Sequence, residues 1–297
     1  MIARALILLA ALVATVPAAA QERGHTIKAI ASFSIVGDLV RNVGGARVEV
    51  ATLVGPNGNA HVYEPSPADS QSVADASVVF VNGLGFEGWL DRLVKASGTR
   101  APIVVASAGI APRHLADDPG HDGTDPHAWQ SVANAKIYVA NIRDALERAD
   151  PAGEGVYAAN AAAYLAKLDA LDREVRAVVA AIAPERRRVV TSHNAFGYFQ
   201  DAYGVTFMAP QGMSSEAEAS AKDVARIITQ IRADKISAVF LENVTDPRLV
   251  NLIATETGAR IGGTLYSDAL TDANGPAPTY VDLIRHNVRQ LAAALRN

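Results

Sequence analysis

The chain of 297 residues contains no cysteine. That excludes a disulfide framework, a thiolate zinc finger and a cysteine nucleophile, and it removes lipid attachment through a cysteine at a signal-peptide junction. Beyond residue 20 no apolar run approaches the roughly 20 residues of a membrane span. There is no basic tract, and the formal net charge is −4, so nucleic acid and anionic membranes are poor partners. No His-Glu-x-x-His pair occurs, which takes away the usual helix-borne site of a zinc hydrolase. No short internal repeat is found either.

What is present begins with an export pattern. Residues 1–20 carry one charge, Arg4, then an apolar run from Ala5 to Val16 and a small-residue end, Ala18-Ala19-Ala20. This is the three-part form of a secretory signal peptide, with cleavage expected near Gln21. Its loss takes the formal net charge from −4 to −5. A secreted protein without a lipid anchor stays in place only behind an outer barrier, which predicts a periplasm. The remaining chain is long enough for two domains or one large one. With 49% apolar and 20% charged residues it is ordinary for a globular protein.

Strand and helix patterns alternate. Strands are expected at Thr26 to Phe33, Val48 to Val54, Val78 to Val81 and Pro102 to Ala106. Helices are expected at Ile35 to Val43, from the Ser66-Pro67 cap, and at Gly88 to Ala96. Ser107 to Gln130 reads as a loop rich in Asp, Gly, Pro and His, and a helix follows from Val132 to Ala149. Gly155 to Ala183 is helical throughout and roughly 40 Å long at 1.5 Å per residue, a strut between two lobes. A coiled-coil seam is disfavoured because e/g charge pairing is sparse.

Alternation then resumes, with strands at Arg188 to Thr191, Val205 to Ala209, Ile236 to Leu241 and Arg260 to Leu265. Helices are expected at Ala195 to Tyr203 with Asn194 as N-cap, at Ser215 to Ala233, from Asp246-Pro247 to Thr257, and at Tyr280 to Leu295. The fold class is therefore α/β: two lobes, 25–150 and 186–297, each a mostly parallel sheet flanked by helices, joined by one long backbone helix in 151–185.

Ligands in α/β sheets are met outside the carboxyl ends of the strands. Of seven histidines, three occupy such places. His61 follows the second strand, His127 follows the fourth, and His193 lies where the first strand of the second lobe hands over to a helix. Asp268 is the carboxylate in the equivalent place after the last strand. Three imidazoles and one carboxylate form a four-coordinate N3O set that suits Zn²⁺, whereas Mn²⁺, Ca²⁺ and Mg²⁺ prefer more oxygen. Four protein ligands leave no open position for a catalytic water, which argues for holding the metal rather than using it.

Six segments carry a family resemblance: Ala31 to Asp38, His61-Val62-Tyr63-Glu64-Pro65-Ser66-Pro67, Asp125-Pro126-His127-Ala128-Trp129, Ser192 to Phe199, Gln211-Gly212 with Glu216-Ala217, and Tyr266-Ser267-Asp268. With them the chain resembles the zinc- and manganese-binding solute-binding proteins of bacterial ABC importers, the cluster A-I receptors with a helical backbone. The resemblance implies metal ligands at His61, His127, His193 and Asp268, the same four residues. It also implies a periplasmic receptor that passes its metal to an ABC permease of the inner membrane, with a periplasmic metal donor as a further partner and a monomeric state. Manganese-type relatives typically carry Glu where His193 stands, so the resemblance points to Zn²⁺ as transported ligand and Mn²⁺ as the alternative.

The long histidine-rich loop of many zinc-type relatives is reduced here to His114 and His121 with Asp117, Asp118, Asp122 and Asp125, read as a solvated loop ahead of a capture loop. Trp129 is expected to pack beside His127, Glu64 and Glu242 to accept from ligand imidazoles or serve in structural pairs, Asp38 to serve its own helix, and His286 to lie at or near the surface. Two other functions are weighed. A secreted zinc hydrolase with Asp268 as base needs an open metal position, and an adhesin-like protein of the same fold needs no transport partner.

Overall fold

The β-branched runs form two four-stranded sheets in the computed structural model, which describes residues 26–114, 123–216 and 218–296. The signal segment, His25, and Asp117, Asp118, His121 and Asp122 of the long loop lie outside the described residues. The first lobe contains β1 (Ile27–Phe33), α1 (Ser34–Gly44), β2 (Val48–Val54), α2 (Pro67–Ala74), β3 (Val78–Val81), α3 (Leu90–Ser97) and β4 (Ile103–Val105). Its strands lie in the order β2-β1-β3-β4, all parallel.

After β4 come β5 (Arg113–His114), β6 (Thr124–Asp125), α4 (Val132–Ala149) and the long α5 (Glu154–Ala180). The second lobe follows with β7 (Arg188–Val190), α6 (Gly197–Tyr203), β8 (Thr206–Met208), α7 (Ala221–Asp234), β9 (Ala238–Glu242), α8 (Pro247–Thr257), β10 (Arg260–Leu265) and α9 (Tyr280–Leu295). Its sheet, β8-β7-β9-β10, is again parallel and repeats the second-first-third-fourth order of the first lobe. Order reverses beside the first strand of each sheet, and the crevice at that switch point opens at the strand carboxyl ends.

The connecting helix is more than a strut. Tyr157, Ala161, Tyr164, Leu168, Leu171, Val175 and Val179 form its buried stripe, spaced by threes and fours as one helix face requires. That stripe packs on α1 and α4 on one side and on α9 on the other. A single hydrophobic cluster consequently runs from Phe33 and Leu39 through Leu168 to Leu265 and Leu283. A smaller one, with Val190, Ile227, Val239 and Ile253, lies within the second lobe. The lobes share a core as well as a helix. Among the described residues no helix is long and apolar enough to cross a membrane.

Four local expectations are corrected. Asn194 does not cap α6; its N–H donates to the Gly212 carbonyl at 2.9 Å, and Phe196 occupies the cap position. Residues 193–196 are used in a turn, closed by Ala195 N–H on the His193 carbonyl. The helix expected from Ser215 begins at Ala221, because Ser220 accepts from Asp223 N–H and caps it. The segment before it instead bridges lobes, Asn59 Nδ2 donating to Ser215 Oγ at 2.8 Å. The loop 107–130 contains the antiparallel β5–β6 pair. Asp38 turns its carboxylate to the Tyr280 N–H at 2.9 Å and so serves the start of α9. At Ser66 the expected cap forms in full, with Asp69 closing the box.

Candidate metal site

Each of the four strand-end residues is carried by a different connection. His61 lies between β2 and α2, His127 in a turn between β6 and α4, His193 just after β7, and Asp268 between β10 and α9. They converge: one potential ligand atom from each lies within 4.8 Å of all the others. His61 Nε2 is 3.3 Å from His127 Nε2 and 3.3 Å from Asp268 Oδ2. His193 Nε2 is 3.1 Å from Asp268 Oδ2, and His127 Nε2 is 3.6 Å from Asp268 Oδ1. The His61 side chain is 2% exposed and the other three are fully buried.

Behind this cluster lies a second layer of carboxylates. Glu242, the last residue of β9, places Oε2 2.8 Å from His193 Nδ1, while Oε1 accepts from the Ser192 and His193 N–H groups at 2.8 and 2.9 Å. Asp125 Oδ1 lies 2.9 Å from His127 Nδ1 and accepts the His127 N–H at 3.0 Å. A carboxylate on Nδ1 keeps the proton there and leaves the Nε2 lone pair free for a cation. Among the described residues no carboxylate faces His61 Nδ1 in this way. Its loop rests on neutral contacts: His61 N–H donates to Asn59 Oδ1 at 3.0 Å, and Trp89 Nε1 donates to the Ala60 carbonyl at 2.8 Å.

Electrostatics separate the imidazoles in the metal-free protein. Burial lowers the His61 pKa, and Asp268 offsets that only in part. Burial also acts against protonation of His193, but the carboxylates of Glu242 and Asp268 outweigh it and hold the ring well above the usual value. Asp268 is pulled well below its ordinary range because the surrounding imidazoles overcome the cost of burying its charge. When the rings are neutral with their Nε2 lone pairs facing inward, both Asp268 oxygens are buried without a hydrogen-bond donor. Buried carboxylate oxygens are costly in that state, and a cation among three Nε2 lone pairs is the chemistry that satisfies them.

The Asp268 loop is also locked from the other lobe. Trp129 Nε1 and Gln130 Nε2 both donate to the Ser267 carbonyl, at 2.9 and 2.7 Å, and Tyr280 Oη donates to the Trp129 carbonyl at 2.7 Å. Trp129 packs on His127 with ring centroids 5.3 Å apart. Of the two carboxylates considered as imidazole acceptors, Glu242 has that place and Glu64 does not. Glu64 instead lines a surface depression of about 690 Å³ with Pro65, Trp89 and Arg92, which none of the four converging residues touches. His114 faces Thr124 Oγ1 at 3.3 Å and stays outside the cluster. His286, half-buried, has Nε2 3.0 Å from the Thr264 carbonyl. Sequence reasoning assigned no imidazole partner to Asp125, although Asp-x-His places a carboxylate two residues before one of the converging imidazoles.

Known proteins share both sequence and fold. The family model "Zinc-uptake complex component A periplasmic" matches residues 30–294. The manganese-binding lipoprotein MntA of Halalkalibacterium halodurans is 37% identical over 274 residues, covering 92% of this chain and 90% of the relative. The iron-binding protein YfeA of Yersinia pestis is 35% identical over 265 residues, covering 89% and 85%. The solved structure of the periplasmic zinc-binding protein TroA from Treponema pallidum superimposes with a TM-score of 0.86 at 29% identity, covering 92% of this chain and all of that one. Two parallel-sheet lobes, a shared backbone helix and these matches have one conclusion: the chain belongs to the ZnuA family, the metal-binding substrate receptors of ABC transporters, which are solute carriers for a membrane permease rather than enzymes.

Proposed function

We propose that the protein is a periplasmic zinc receptor, with His61, His127, His193 and Asp268 as ligands. The observation that carries this reading is the spacing of the four donors. Zinc at about 2.0–2.1 Å from each of four tetrahedral ligands sets them about 3.3–3.4 Å apart; the four separations given above run from 3.1 to 3.6 Å, and one donor atom from each residue lies within 4.8 Å of all the others. Borderline-soft imidazole also favours zinc over harder cations. Residues 1–20 direct export and are then removed, and lobes 25–150 and 186–297, joined by the helix of 151–185, clasp one ion per chain. The receptor is a monomer that hands its ion to the permease, having taken it free or from a periplasmic donor.

A manganese cargo is the second reading, favoured by the Asp268 carboxylate. Its two oxygens face different imidazoles, so it can offer a second oxygen to a larger, harder ion. Competitive Zn²⁺/Mn²⁺ titration of metal-stripped protein decides between them. The expected result is one tightly held zinc per chain that manganese does not displace at equal concentration. Preferential retention of manganese overturns the zinc assignment. Failure to bind either ion, or unchanged binding by H193A, overturns the ligand set.

A further inference from the structure

The second carboxylate oxygen of Asp125 does not face the metal cluster. Asp125 Oδ2 is 3.2 Å from Arg113 Nη1, and Arg113 Nε is 3.0 Å from Asp201 Oδ2. Arg113 and Asp125 face each other across the β5–β6 pair of the first lobe, whereas Asp201 lies in α6 of the second. α6 is the helix that leaves the His193 turn. The same helix supplies Tyr198, whose hydroxyl accepts the Arg113 N–H at 2.9 Å and donates to the Asp125 carbonyl at 3.2 Å.

Close approach of these groups needs Gly197. A Cβ there would lie 2.5 Å from both Asp125 Oδ2 and Arg113 Cζ. The first residue of α6 is thus bare where the guanidinium and carboxylate cross it. Arg113 is 19% exposed and Asp125 fully buried, so this contact is partly shielded from solvent and less screened than a surface pair.

We propose that Arg113 is a positioning residue that couples the two lobes' halves of the metal site. Its guanidinium joins Asp125, the carboxylate behind His127, to the helix that follows His193. The planar fork suits it to bridge two carboxylates at once, which a lysine ammonium on a flexible stem does less well. Charge supports the assignment. A divalent ion with the buried carboxylates of Asp268, Asp125 and Glu242 and with Arg113 in their ordinary charge states has no net charge, the 59% exposed Asp201 being left to solvent, and a buried site near neutrality avoids the cost of an uncompensated charge. Without Arg113 the buried groups of the loaded site are left with a surplus negative charge, and the Asp125 carboxylate is held only through Oδ1 on the His127 N–H, with its second oxygen released.

The inference rests on the metal-receptor reading above. The test compares wild type with R113A, R113K and G197A, the last of which removes no charged or hydrogen-bonding group. Zinc affinity is read by competition with a chromophoric chelator. The ligand-field spectrum of the Co²⁺-loaded protein reports the angles at the metal. R113A is expected to bind zinc about 10–100-fold more weakly, the range for losing a group behind a metal ligand, with an altered Co²⁺ spectrum. R113K should recover part of the affinity, and G197A should reproduce the R113A spectrum with its charge intact. Wild-type affinity and spectrum in folded R113A overturn the proposal; should R113A not fold, the same result in G197A does so. A wild-type protein that holds neither zinc nor cobalt marks failure of the receptor reading instead.

Discussion

His61 and His193 address the same carboxylate from opposite lobes, and they are held by different means. His193 sits at the end of a central strand, with Glu242 gripping its Nδ1 and its backbone N–H. His61 sits in the connection 55–66, stapled by neutral hydrogen bonds and resting against Phe86 with ring centroids 4.8 Å apart. Next to it Val62 is 49% exposed. One imidazole has its proton and angle preset by a buried charge. The other rests on contacts that a shift of the loop 55–66 would alter. A receptor must both hold and surrender its ion, and release is expected on the side of the His61 loop.

The sharpest way to break the comparison is to delete each ring. H193A leaves Glu242 buried without its ion partner and should lower metal-free stability by about 3–5 kcal/mol. H61A should cost about 1 kcal/mol, the centre of the range for point mutants. Both should abolish tight metal binding. Equal melting of the two metal-free variants would remove the distinction.

Next in size is E242Q. The glutamine keeps the shape but can present its NH2 to His193 Nδ1, which moves the ring proton to Nε2 and aims it into the site. A 10–100-fold loss of affinity is expected, on the order found for groups behind metal ligands. Isothermal titration at several pH values checks it, and binding indistinguishable from wild type would show that the tautomer is set elsewhere.

Hydrogen exchange then sharpens the dynamic side. In the metal-free protein, amides of 57–66 should exchange faster than those of 189–194, and metal should protect the first segment by the larger factor. Uniform protection of both would place the yielding element elsewhere.

The smallest effects are in titration. His61 has a folded pKa below its unfolded value because burial disfavours the charged ring, so its contribution to the metal-free fold is complete above the unfolded pKa and is lost as pH falls from there through the folded pKa. His193 has a raised pKa; its contribution is complete below the unfolded pKa and disappears as pH rises through the folded one. The two slopes oppose. Imidazole NMR should show His61 neutral and His193 still protonated near pH 7. Separately, metal affinity should fall on acidification because protons compete for Nε2.

Much of the frame was readable from residue order. Val48 to Val54, Val132 to Ala149 and Arg260 to Leu265 fall where their periodicity puts them, because pattern and packing agree there. The four converging residues were also readable, since strand carboxyl ends of two parallel sheets leave few places for ligands. Asn194 misled for a physical reason. Residues 193–196 are taken up in a turn that the Asn194 N–H ties to the Gly212 carbonyl, a partner eighteen positions away in sequence that no local rule weighs, so the helix starts only at Gly197. Arg113 escaped notice for the same reason, since its role depends on α6 arriving from the other lobe; Asp125 lies two residues from its imidazole and could have been paired with it locally.

The sequence by itself determined the alternation of strands and helices, the long buried stripe of α5, and the chemical character of the four converging side chains, because these follow from local periodicity and from side-chain identity. Tertiary structure alone decided that the two lobes share one core, that Glu242 stands behind His193 while among the described residues no carboxylate does so behind His61, and that Arg113 reaches both Asp125 and Asp201. Those properties depend on distances between segments far apart in the chain, and such distances exist only once the two sheets have packed against their common helix.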